Sequence, residues 1–76
     1  MAVLLEELVN QHRDQLSKSE KEVLDIILSD QKSYARCTST ELADTCHISR
    51  TTLLRICRKI GLMSFSDLKV ILKNSS

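Results

Sequence analysis

The chain of 76 residues contains no proline, no tryptophan and a single glycine. With so few breakers, nearly all of it is free to be helical, and the predicted class is all-α. The only aromatics are Tyr34 and Phe65, which argues against a surface that stacks unpaired bases, because such surfaces need aromatic platforms. No apolar run approaches the roughly 20 residues needed to cross a bilayer, so no membrane partner is expected and the cytoplasm is the expected location. The opening Met-Ala-Val-Leu-Leu-Glu-Glu has no basic stretch ahead of its apolar residues, unlike a secretory signal. The cysteines Cys37, Cys46 and Cys57 are odd in number and scattered, so they suit neither a disulfide framework nor a zinc site with a Cys-x-x-Cys pair. They read as reduced, core-filling residues. There is no glycine-rich phosphate loop and no pair of carboxylates in an apolar setting. Cys46 and His47, being adjacent at a helix end, do not point at one another. No catalytic residue, cofactor or metal site is expected. A chain this short buries only about 60 % of its unfolded surface, enough for one core but not for an enclosed catalytic cavity.

What the sequence does have is a polarised charge. The formal net charge is +1. Residues 1–46 carry five Lys/Arg against nine Asp/Glu, a net of −4, whereas residues 47–76 carry six Lys/Arg against Asp67 alone, a net of +5. One basic half on a near-neutral chain is the electrostatic footprint of a surface that meets phosphate.

Apolar periodicity predicts five helices. The first covers about residues 2–15, with Leu4, Leu5, Leu8, Val9, His12 and Leu16 in one stripe. His12 reads there as a boundary residue, not a ligand. Ser17-x-x-Glu20 is a capping box that opens a second helix to about Ser29. Val23, Leu24, Ile26, Ile27 and Leu28 cover so much of its girth that a central position is predicted. Residues 30–37 read as a connection anchored by Tyr34 and Cys37. Thr38-x-x-Glu41 is a second capping box, opening a helix over about 39–46 whose Leu42, Ala43 and Cys46 face inward. Ala43 is small enough to let a steeply crossing helix approach. Ser49 caps a helix over about 50–60 that Gly61 ends. Ser64-x-x-Asp67 starts the last helix, about 65–73, with Phe65, Leu68, Ile71 and Leu72 as its apolar set. The polar end Lys73–Ser76 is expected to fray and is where a linker could begin.

The helix over 50–60 has two unlike faces. At about 100° per residue with Leu53 at 0°, Ile56, Cys57 and Ile60 fall at about 300°, 40° and 340° and form one apolar face. On the same count Thr51 falls at about 160°, Arg55 at about 200°, Arg58 at about 140° and Lys59 at about 240°, all on the other side. Thr52, at about 260°, and Leu54, at about 100°, lie on the flanks. That outer face carries hydroxyls and cations and no carboxylate. Arg55 and Lys59, four apart, repel, and tolerating the repulsion suggests an external anion. Two short helices joined by about three residues, the second with such a face, specify a helix-turn-helix whose second helix enters the major groove of duplex DNA. The predicted base-reading residues are Ser49, Arg50, Thr51, Thr52 and Arg55, near the helix N-terminus. The predicted phosphate contacts, which position without specifying, are Thr38, Thr40, Arg58, Lys59 and Lys69. The competing reading is a helical protein–protein interaction or dimerisation module without DNA contact, supported by the Leu/Val stripe of the first helix. An interaction module gives no reason for Thr51, Arg55, Arg58 and Lys59 to share a side.

Ser17–Val23, Glu41–Ala43, Ile48–Leu62 and Phe65–Lys69 together resemble the N-terminal DNA-binding domain of RpiR-type bacterial transcriptional regulators. The resemblance spans nearly the whole chain, and its most specific part is Arg55-x-Cys57-Arg-Lys-x-Gly61 followed by Phe65-Ser-Asp-Leu-Lys69. It implies a five-helix bundle containing a helix-turn-helix, of the homeodomain-like three-helical type, over residues 1–76, with the helix-turn-helix at about 38–60. It also implies regulation of sugar-phosphate or amino-sugar metabolism, a double-stranded DNA operator, a nucleoid-associated location and a homodimer in the full-length protein. A phosphosugar effector would then sit on a sugar-isomerase-like C-terminal domain that these 76 residues do not include. His47 departs from the pattern. It occupies a turn position where the family usually has glycine, and a positive φ is costly for histidine.

Overall fold

Capping residues set the boundaries of the helices. The computed structural model describes residues 4–74, and among these it has six α-helices, a 3-10 turn and no strand. They are α1 (Leu5–Gln11), a 3-10 turn (Arg13–Gln15), α2 (Lys18–Ser29), α3 (Gln31–Tyr34), α4 (Ser39–Thr45), α5 (Arg50–Lys59) and α6 (Phe65–Asn74). The predicted all-α class holds, with one helix more than the five expected. The extra element is α3, a single turn inside the segment 30–37 that reads as a connection. Its four residues are too few for a periodic signal, and its packing against α6 holds it.

Both capping boxes form. The Ser17 hydroxyl accepts the Glu20 N–H and the Glu20 carboxylate accepts the Ser17 N–H, and Thr38 and Glu41 do the same. The first helix is shorter than predicted. Its α-helical part ends at Gln11, and His12 leaves helical geometry with φ −115° before the 3-10 turn. Its predicted start at Ala2 lies outside the described residues, as do Ser75 and Ser76. The imidazole of His12 explains the early stop in part: Nδ1 donates to the Leu8 carbonyl at 2.8 Å, satisfying an acceptor of the last turn from the side chain. At α6, Asp67 reaches back to the N–H of Met63 at 3.0 Å.

The core gathers Leu5 and Val9 of α1, Leu16, then Val23, Leu24 and Ile27 of α2, with Leu42 and Ala43 of α4 and Cys46 at its end. Leu53, Ile56 and Cys57 of α5, Ile60, and Leu68 and Leu72 of α6 complete it. Ala35 is also buried, whereas the anchors predicted for this segment, Tyr34 and Cys37, pack against the core only in part. The central position predicted for α2 is corrected. Val23, Leu24 and Ile27 are buried, but Ile26 lies exposed and Leu28 is only half-buried, so the apolar girth of α2 is not covered all round. The stripe of the first helix is consumed by the same core. Leu5 and Val9 are buried and Leu8 packs against them, leaving Leu4 outside, which removes the apolar face on which the interaction-module reading relied.

Candidate nucleic-acid interface

The turn between α4 and α5 decides how the two helices cross. Cys46 ends α4 and His47 follows at φ +58°, the left-handed region. The His47 N–H donates to the Asp44 carbonyl at 3.1 Å and the Ile48 N–H to the Ala43 carbonyl at 2.9 Å. These two bonds make a Schellman motif with histidine where glycine is usual. Ile48, half-buried, supplies the apolar contact that accompanies the motif. Ser49 then opens α5, its hydroxyl accepting the Thr52 N–H at 3.1 Å. The far end repeats the design with Gly61 at φ +93°, the Gly61 N–H on the Arg58 carbonyl at 3.1 Å and the Leu62 N–H on the Cys57 carbonyl at 2.9 Å. Two left-handed stops therefore bracket α5 and fix its length.

The four residues predicted for its inner face, Leu53, Ile56, Cys57 and Ile60, are all at most 1 % exposed. Arg50, Thr51, Arg55 and Arg58 are exposed, and no carboxylate occurs in α5. Ser49 is exposed and Thr52 half-buried, and their hydroxyls bond each other at 2.9 Å, so both serve the cap first. Arg50 and Thr51 line a shallow groove of about 280 Å³ with Ser39, Leu53, Leu54 and Phe65, where the beginnings of α4, α5 and α6 meet. Thr38 and Thr40 are exposed at the start of α4. The Thr38 hydroxyl accepts the Glu41 N–H and keeps its own hydrogen to donate. Lys69, half-buried, places its charge near Glu41. Hydrogen bonds from the Thr38 backbone and side chain hold the Glu41 carboxyl below the usual carboxylate range, with Lys69 adding to this.

Lys59 does not share the outer face. Its ammonium lies 2.8 Å and 2.9 Å from the two carboxylate oxygens of Glu20, at the start of α2. Helix angle alone put it outward, but it sits at the flank of that face, and its long stem carries the charge across to α2. The expectation that Arg55 and Lys59 both need an external anion therefore fails for Lys59, whose counter-ion is internal. Sequence reading missed Glu20 in this role because its partner is 39 positions away and its capping function already accounted for it. Burial pushes the Glu20 carboxyl up, but hydrogen bonds from Lys59 and Ser17, with the lysine charge, outweigh burial and hold it below the usual range. At the same end of α5 the His12 ring lies beside Gly61, 3.7 Å from where a Cβ would stand. Lys32, Ser33 and Arg36 line a separate shallow dent at α3 and the turn after it, where two of the cations that sequence position assigns to the acidic half stand.

Among the described residues, no group of three or more His, Cys, Asp or Glu could hold a metal ion. Cys46 and Cys57 are buried free thiols, and burial pushes both up, Cys57 to about 11. No helix of the described chain is long and apolar enough to cross a membrane.

Comparison with known proteins agrees with this geometry. The helix-turn-helix domain model of the RpiR family matches residues 3–76. The transcriptional regulator GlvR of Bacillus subtilis is 35 % identical over 69 residues, which is 91 % of this chain and 27 % of that protein. An uncharacterised helix-turn-helix transcriptional regulator of Haemophilus influenzae is 39 % identical over 55 residues, 72 % of this chain and 19 % of that protein. The regulator HexR of Pseudomonas aeruginosa is 32 % identical over 75 residues, 99 % of this chain and 26 % of that protein. The chain thus spans about a quarter or less of the length of these relatives. With the family match covering nearly every residue, the chain belongs to the RpiR family of helix-turn-helix domains found in transcriptional regulators.

Proposed function

We propose that residues 1–76 bind double-stranded DNA sequence-specifically, with α5 in the major groove, as the operator-binding module of a bacterial transcriptional regulator. The observation that carries this reading is the outer face of α5, where Arg50, Thr51, Arg55 and Arg58 stand exposed with no carboxylate among them. Arg50, Thr51 and Arg55 are the base readers, with Ser49 and Thr52 beside them as a hydroxyl pair stiffened by their mutual bond. Arg58, Thr38, Thr40 and Lys69 contact backbone phosphates. Lys59 is left out of that set because Glu20 holds it. The domain measures 28 × 27 × 22 Å, less than the roughly 34 Å of one DNA turn. Two half-sites therefore require two copies, in keeping with a homodimeric full-length protein. The family resemblance supports regulation of sugar-phosphate or amino-sugar metabolism, with a phosphosugar effector bound outside these residues, and a cytoplasmic location on the nucleoid.

The test is a duplex titration at two salt concentrations. Arg50→Ala and Arg55→Ala should each cost about 1–3 kcal/mol on the operator and relax its sequence preference. Arg58→Ala should weaken all duplexes alike and reduce the salt slope by about one. Unchanged duplex affinity in all three variants would remove α5 as the reading helix.

A further inference from the structure

Glu20 is the buried charged residue of the described chain, and its carboxylate serves the cap of its own helix and the end of a distant one at once. Oε1 accepts the Ser17 N–H at 2.7 Å, and the pair of oxygens receives the Lys59 ammonium at 2.9 Å and 2.8 Å. Lys59 is the last residue of α5. Its side chain keeps 37 % of its exposure against 11 % for Glu20, so the lysine is accessible and the carboxylate is not. Arg55 and Arg58 on the same helix have no such partner among the described residues.

A lysine in this position turns to a phosphate only by giving up the Glu20 carboxylate, which keeps little exposure of its own and would lose its counter-ion. A free lysine would instead add one phosphate contact, and sequence-independent affinity is made of such contacts. We propose that Glu20 is a positioning residue of the DNA-binding face. It keeps Lys59 as an internal partner at the end of α5, withholding one cation from nonspecific phosphate binding. This rests on the DNA-binding reading above.

The experiment measures binding of the whole chain to a random-sequence duplex by fluorescence anisotropy across a salt series. Glu20→Gln keeps an amide oxygen for the Ser17 N–H and releases Lys59. It should steepen the salt slope by about 0.9 and tighten random-duplex binding by roughly 8-fold at 0.1 M salt. Glu22→Gln, which removes an exposed charge from the same helix, should not. Lys59→Met alone should leave the slope unchanged, yet in the Glu20→Gln background it should cancel the gain. A shallower slope for Lys59→Met alone, an unchanged slope for Glu20→Gln, or an equal rise for Glu22→Gln overturns the proposal. Nuclear magnetic resonance of the unaltered protein decides the matter should Glu20→Gln fail to fold. On adding duplex, the Lys59 Nζ resonance should hold still while that of Arg58 Nε moves, and movement of Lys59 overturns the assignment. Failure of the DNA reading itself looks different, because Arg55→Ala and Arg58→Ala would then leave binding unchanged.

Discussion

Two residues carry the backbone geometry that orients α5, and they are chemically unequal. His47 and Gly61 both sit at positive φ as the residue after a helix end. A side chain there costs about 1–2 kcal/mol, a cost glycine does not incur. Offset by glycine's larger unfolded-state entropy, His47→Gly should raise stability by about 0.5–1 kcal/mol in urea unfolding. Gly61→Ala should lower it by about 1–2 kcal/mol through the backbone alone, because the new Cβ would meet the His12 ring at an ordinary 3.7 Å. Both positions are legible in sequence: Gly61 by its identity, His47 only because the apolar pattern stops at Cys46 and Ser49 starts a new cap. The identity of the residue at 47 argues against its own conformation, and the two flanking helices impose it.

At the scale of elements, capping chemistry sets the helix starts. The Ser49 hydroxyl satisfies the Thr52 N–H, one of the free donors at the start of α5. Ser49→Ala should therefore cost about 1 kcal/mol of stability, read by thermal or urea unfolding, and should loosen the Thr52 hydroxyl that bonds to it. The two capping-box carboxylates add a pH dependence of known sign. Glu20 and Glu41 are both held below the ordinary value of 4.5, so each stabilises the fold fully above its unfolded pKa and loses that contribution as pH falls through the lower folded one. The melting temperature should be level from pH 7 to about 5 and fall below about 4.5. Glu20→Gln should flatten that fall, and an acid limb equally steep in the variant would assign it to other groups. Helices with long apolar repeats and caps were readable in advance. The single turn of α3 was not, since a four-residue helix owes its existence to the surface of α6.

For the molecule as a whole, one core joins the helices, α3 reaching it through half-buried Tyr34 and the buried Ala35 just beyond, so buried groups should become accessible together. Cys57, 1 % exposed and with its thiol pushed to about 11, should react with a disulfide reagent at pH 8 only as fast as the domain opens. Cys46, also buried, should react in the same opening, and Cys37, half-exposed, should react first in the native protein. Simultaneous labelling of Cys37 and Cys57 under native conditions would show that the core opens in parts. The charge asymmetry also changes meaning at this scale. The division at residue 46 is a division of sequence, whereas in space Lys32 and Arg36 line a cationic dent at α3 and the turn after it, and Lys59 is neutralised by the acidic half.

The sequence by itself determined the all-α class, four of the helix starts, the turn after Cys46 and the buried face of α5. Each of these follows from interactions within about four residues or from a periodicity that a single helix must obey. Tertiary structure alone decided that Ile26 of α2 stays exposed, that the stripe of the first helix is internal, and that Lys59 answers Glu20. These depend on which elements meet, and a lysine stem long enough to choose between solvent and a neighbouring helix makes that choice by the carboxylate it finds there.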